Sequence, residues 1–136
     1  KILTKNKIPV MGHLGLLPQS DKNFKYKGKK KIERDILIND AKLLEKSGVF
    51  SVVLECVETS LAKDITQNLA IPTIGIGASK YCDGQILVFD DLIGLNPINY
   101  KFVKKFACIR KEISKAVLNY SKEVKKQRFP DKKNSY

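Results

Sequence analysis

Four short apolar runs, separated by stretches with helical spacing, limit the folds open to this chain more than any other feature. Val10-Met11-Gly12-His13-Leu14-Gly15, Val52-Val53-Leu54-Glu55-Cys56 and Thr73-Ile74-Gly75-Ile76-Gly77-Ala78 each combine apolar strand residues with a small or polar exit. A fourth run, Gln85-Ile86-Leu87-Val88-Phe89, leaves on Asp90-Asp91. The order βαβαβαβα implies a parallel sheet of the α/β class, in which ligands gather at the carboxyl ends of the strands. His13, Glu55, Gly77 and Asp90/Asp91 are therefore expected on one rim, and chemistry is expected there.

The chain has 136 residues, 43% of them hydrophobic, which suits a single domain over 1–136 with a modest core. Residues 126–136 are polar and are expected as a flexible tail. No apolar run approaches the roughly 18 to 20 residues needed to span a membrane. Lys1 to Lys7 has neither the apolar stretch nor the cleavage site of a signal peptide. That segment reads as the end of a helix without an initiator Met, which suggests a chain that begins inside something larger. Three cysteines, Cys56, Cys82 and Cys108, are an odd number with no CxxC pair. They fit reduced thiols and a cytoplasmic location better than a disulfide framework or a zinc site.

A net charge of +12 raises the question of nucleic acid. The lysines are scattered, however. The dense clusters, Lys25 to Lys31 and Lys122 to Lys133, carry no RNA- or DNA-binding pattern. A solvated face is the plain reading, with no nucleic-acid and no membrane partner expected.

The spacing predicts strands over Val10–Leu14, Phe50–Leu54, Thr73–Ile76 and Gln85–Phe89. It predicts a helix over Glu33–Ser47, burying Ile32, Ile36, Leu37, Ala41 and Leu44 and stopped by Gly48. A second helix is capped by Thr59 or Ser60 and buries Leu61, Ala62, Ile65 and Leu69. A long last helix is expected from Tyr100 to Lys125. Asp21 to Lys31 is a polar loop. Four βα units make half of an eight-unit barrel, which needs about 250 residues. The chain is thus either an open four-stranded sheet or the second half of a barrel, and the helix-like start favours the latter.

Pro9-Val10-Met11-Gly12-His13-Leu14-Gly15-Leu16-Leu17-Pro18-Gln19-Ser20 closely resembles the GHLGLTPQS motif of ketopantoate hydroxymethyltransferases. Val53-Leu54-Glu55-Cys56-Val57 with Leu61-Ala62-Lys63-Asp64-Ile65-Thr66 resembles the family's VLECVP…LAKxIT segment. Ile71 to Ala78 with Cys82-Asp83-Gly84-Gln85-Ile86-Leu87-Val88 resembles its IPTIGIGAG…CDGQILV segment. The likeness runs in order over nearly the whole chain.

The resemblance implies a (β/α)8 TIM barrel of the phosphoenolpyruvate/pyruvate type, to which this chain would supply strands five to eight. It implies transfer of a hydroxymethyl group from 5,10-methylenetetrahydrofolate to 3-methyl-2-oxobutanoate, giving 2-dehydropantoate for pantothenate. Glu55 matches the family's proton acceptor, and His13 matches a histidine lining the same substrate pocket. Magnesium is implied as the ion that chelates the 2-oxo acid, with its ligands on the four strands that this sequence does not contain. No metal ligand and no folate-binding residue is assigned here. Small-molecule substrates and a homo-oligomer follow from the same likeness, and this stretch alone is expected to be inactive. Three departures are visible: the loop after Ser20 is shorter than the family's GGYxVQG stretch, Gly77-Ala78-Ser79 replaces the usual Gly-Ala-Gly, and Asp90 stands where the family usually has His.

Read without the resemblance, Glu55 is a strand-end carboxylate that would as readily cap a turn, and His13 a structural histidine. Asp90 and Asp91 are read as turn-capping acids rather than metal ligands. The rival to an enzyme is a non-catalytic remnant that uses its basic surface as a binding module. Steep salt dependence of RNA affinity would distinguish it.

Overall fold

The computed structural model describes residues 1–20 and 25–136. Asp21–Phe24, part of the expected polar loop, lies outside the described residues. The chain divides into two compact units, Lys1–Ile86 and Leu87–Tyr136.

In the first unit a short helix α1 (Ile2–Lys5) precedes β1 (Met11–Gly15), α2 (Lys31–Lys46), β2 (Ser51–Glu55), α3 (Thr59–Asn68), β3 (Thr73–Ile76) and β4 (Gly84–Gln85). The four strands form one sheet in the order β1-β2-β3-β4. Every pairing is parallel, as the alternation of strands and helices requires. Met11 is in register with Ser51, and Gly15 with Glu55. Val52 pairs with Thr73, and Glu55 with Ile76.

Side chains alternate across a strand, so this register separates the sheet's residues into two faces. Val52, Leu54 and Thr73 occupy one face, where each is 0% exposed. Leu37 and Ala41 of α2, and Leu61, Ala62 and Ile65 of α3, complete the core against that face. Met11, His13, Val53 and Glu55 lie on the other face, where Met11 is 47% exposed and the rest are half-buried. Full cover on both faces of β2, expected from its unbroken apolar run, therefore holds for only one of them. On α2 the stripe is narrower than its spacing implied: Ile32 and Ile36 are exposed.

Helix α3 starts differently from expectation as well. Glu58, not Thr59 or Ser60, is the N-cap, and its carboxylate accepts from the Leu61 amide at 3.0 Å. Helix α2 ends as its sequence indicates, with Gly48 following the C-cap Ser47 and its amide donating to the Glu45 carbonyl at 2.9 Å.

The fourth strand is shorter than its apolar run suggested. Pairing stops at Gln85, and Phe89–Leu92 is a one-turn helix, α4, in the second unit. Asp90 and Asp91 thus lie in a helical first turn, where negative charge suits the dipole, and not at a strand exit. The Asp90 carbonyl accepts from the Leu95 amide at 2.9 Å, and buried Asp91 Oδ1 accepts from Asn96 Nδ2 at 2.7 Å. Both acids close a turn.

The last helix, α5, spans Ile109–Lys125 rather than beginning at Tyr100. Within this unit the Phe106 amide donates to Leu92 O at 2.8 Å, and the Ile109 amide to Ile93 O at 3.1 Å. These bonds hold the segment before α5 extended against α4 despite its helical spacing. No residue of α5 is buried. No helix among the described residues is long and apolar enough to cross a membrane.

Candidate active site

The exits of β1 and β2 are held together by main-chain bonds. The Leu16 amide donates to Glu55 O at 2.8 Å, and the Cys56 amide to Ile76 O at 2.9 Å. Lys27 forms an isolated parallel bridge with Val57. Its amide donates to Cys56 O at 2.8 Å, and its carbonyl accepts from the Glu58 amide at 2.8 Å. Cys56 sits at φ +49°, a left-handed conformation that costs a non-glycine residue of order 1 kcal/mol or more. The strand therefore breaks sharply immediately after Glu55.

Glycine at position 15 is what allows the neighbouring strand to approach. It has φ +100°, and a Cβ there would collide with the Glu55 carbonyl oxygen. On the β1 side no side chain stands directly opposite Glu55, so the imidazole of His13, two residues back from Gly15 on the same face, reaches across. His13 Nε2 lies 3.1 Å from Glu55 Oε2, with the two side chains 34% and 17% exposed. The Nε2 atom is buried and makes no hydrogen bond among the described residues, so its proton direction does not point at the oxygen. The contact is within hydrogen-bond distance but lacks the alignment of a hydrogen bond. The sequence reading placed both residues on one rim, and the structure brings them together.

Two further groups flank the pair. Burial pushes the Cys56 thiol above its ordinary value of 9.0, and the charge of Glu55 pushes it further. A thiol held protonated is a poor nucleophile. Glu58 is held low, at about 2, chiefly by the Ser60 hydroxyl and then by the Leu61 amide, with Arg34 contributing less. Arg34 Nη1 donates to Glu58 at 2.8 Å and Nη2 to Asp64 at 3.1 Å. This ties α2 to the start of α3, so Glu58 serves structure rather than proton transfer. The sequence reading missed this network. An acid immediately before Thr59-Ser60 was the available signal.

Gly75 of β3 packs closely on β4. A Cβ on Gly75 would crowd the Gln85 amide at 2.9 Å, and Gln85 Nε2 donates to Ser79 O at 2.7 Å. Gly75 makes room for a neighbouring strand. A small apolar dimple between α2 and α3, lined by Ile38, Ala41, Ile65 and Leu69, belongs to the helix-covered face and not to Glu55. Among the described residues no group of three or more His, Cys, Asp or Glu side chains gathers as a metal site.

The family model for ketopantoate hydroxymethyltransferase matches residues 1–132. The chain belongs to the ketopantoate hydroxymethyltransferase family. A 3-methyl-2-oxobutanoate hydroxymethyltransferase of Pelagibacter ubique is 62% identical over 136 residues, covering all of this chain and 53% of that protein. Proteins of the same name are similar at 49% identity in Clostridium botulinum strain 657, 51% of whose length is covered, and in Syntrophus aciditrophicus, 52% covered. The chain spans about half the length of the curated relatives it matches. As a member of the ketopantoate hydroxymethyltransferase family it contributes a parallel α/β sheet, with Glu55 and His13 converging at adjacent strand exits.

Proposed function

We propose that this chain carries the proton-accepting side of a 3-methyl-2-oxobutanoate hydroxymethyltransferase, with Glu55 as general base and His13 lining the same substrate pocket. The observation that carries the proposal is the placement of Glu55. It is a part-buried carboxylate at a parallel-strand exit, paired with no lysine or arginine among the described residues, in a chain matched to this family along its length. Such a carboxylate is free to accept a proton, and a partly dry setting makes it a better base than one in open water. The C3–H bond of 3-methyl-2-oxobutanoate breaks and its proton passes to Glu55. The electron pair stays with the 2-oxo acid as an enolate, whose C3 bonds to the one-carbon unit of 5,10-methylenetetrahydrofolate. Both bonds from that carbon to nitrogen break, water supplies the hydroxyl, and the nitrogens take up the proton from water and the one passed to Glu55, giving 2-dehydropantoate and tetrahydrofolate.

The same reading treats the four strands as strands five to eight of a (β/α)8 barrel. The half-open sheet face bearing Met11, His13 and Val53 would then line the barrel interior. Among the described residues no three His, Cys, Asp or Glu side chains gather as a magnesium site. Its ligands, and the folate contacts, would come from the half of the family's length that this sequence does not span. The enzyme is proposed to be cytoplasmic and a homo-oligomer acting on small molecules.

Exchange of the substrate's C3 proton in D2O, followed by NMR in the complete enzyme containing this sequence, tests the base directly. Glu55→Gln is expected to slow exchange about 10³-fold, within the range of a lost general base. Exchange at the native rate would remove Glu55 from that role.

A further inference from the structure

We propose that His13 is a positioning residue for Glu55: its Nε2–H holds Oε2, so that Oε1 is the oxygen presented to the substrate proton. This rests on the reading of Glu55 as the base, and it goes further by assigning each carboxylate oxygen its own task.

Three features of the structure carry the inference. Nε2 is a buried polar atom without a hydrogen bond among the described residues, and its close acceptor is Glu55 Oε2 at 3.1 Å. A buried donor left unsatisfied costs about 1–3 kcal/mol, so an arrangement that satisfies it is favoured. Second, nothing else among the described residues hydrogen-bonds the Glu55 carboxylate; its backbone is fixed while its side-chain torsions are not. Third, the register puts glycine beside Glu55 on β1 and apolar Ile76 beside it on β3, with His13 diagonally behind the glycine, so the imidazole is the polar side chain placed to restrain the carboxylate.

The chemistry gives this restraint a use. A carboxylate that turns freely about its last torsion offers either oxygen in many directions, and a displacement of about 1 Å at the reacting atoms can cost on the order of 10²-fold in rate. One N–H on Oε2 fixes the plane of the group. Oε1 then takes the proton as the C3–H bond breaks. Because Nε2 bonds only the oxygen that does not react, the histidine acts through Glu55 and exchanges no proton with the substrate.

The test is the C3-proton exchange assay in the complete enzyme, with thermal unfolding measured in parallel. His13→Leu removes the donor while keeping bulk, His13→Gln returns an amide N–H near the place of Nε2, and His13→Asn returns one too short to reach. His13→Leu is expected to lower kcat for exchange roughly 30- to 100-fold with KM changed less than about threefold, the pattern of a group that acts in the transition state. His13→Gln is expected to regain at least about tenfold of that loss, and His13→Asn less. Exchange in His13→Leu within about threefold of native, a loss confined to KM, or equal impairment in all three variants would overturn the assignment. Glu55→Gln keeps the two readings apart. If it leaves exchange intact, the base itself was misassigned; if it abolishes exchange while His13→Leu does not slow it, only the positioning role fails.

Discussion

The two faces of one sheet differ more than any two elements of this molecule. On the helix-covered face Val52, Leu54 and Leu61 are 0% exposed and their neighbours are apolar. On the other face the same strands present Met11, His13, Val53 and Glu55, none of them buried. A period of two along β2 is enough to separate them: Leu54 holds the fold and Glu55, its neighbour, is left available for chemistry. The carboxylate occupies a face outside the main apolar cluster, with Ile76 beside it as a buried apolar neighbour.

The contrast can be broken from the packed side first. Leu54→Ala is expected to lose about 2–5 kcal/mol of unfolding free energy by denaturant titration, the cost of a cavity in a close-packed core. Glu55→Gln, one residue on, should leave that titration within about 0.5 kcal/mol of native. Equal losses would mean that both faces bear the fold. Gly15→Ala tests the seam between the strands. A Cβ at φ +100° that meets the Glu55 carbonyl is expected to destabilise by about 1–3 kcal/mol and also to disturb His13 and Glu55, so that stability and C3-proton exchange fall together.

Cys56 gives a finer probe. Cys56→Gly relieves the left-handed strain but gives up a buried side chain, so stability should stay within about 1 kcal/mol of native. Cys56→Val, β-branched at a positive φ, should lose more than Cys56→Gly in the same titration.

The smallest effect belongs to Glu58. Its folded-state value of about 2 lies below its ordinary 4.5, so its contribution is complete above pH 4.5 and is lost as pH falls towards 2. The side chain is a third exposed, which keeps that contribution small. The stability difference between native protein and Glu58→Gln should be constant from pH 5 to 7 and shrink below pH 4.5. A difference that grows as the solution becomes more acidic would show that the capping carboxylate had been misread.

The central strands were legible in the sequence because Val52 to Leu54 and Thr73 to Ile76 are apolar runs too short for helices and bounded by turn signals. The run from Leu87 to Phe89 shares that composition but lies beyond the end of pairing, whose last bond runs from the Ile86 amide to Gly75 O. Val88 and Phe89 are 55% and 69% exposed, so composition alone misplaced Asp90 and Asp91. The start of α5 was hidden for another reason. Helical spacing continues back to Phe102, yet the amides of Phe106 and Ile109 are used by carbonyls of Leu92 and Ile93. Long-range pairing overrode local periodicity there. The meeting of His13 with Glu55, 42 positions apart, depends on register and on the bare glycine between them. Residue types could place both near one rim but could not put them in contact.

The main-chain clamp around β2's exit has a further consequence, for motion. The amides of Leu16, Lys27, Cys56 and Glu58 all donate to carbonyls within this small region. Deuterium from solvent should therefore enter these four positions late, as an island of slow exchange beside a rim where water otherwise has access. Adjustment at the exit of β2 would then fall to side-chain rotation more than to movement of the main chain.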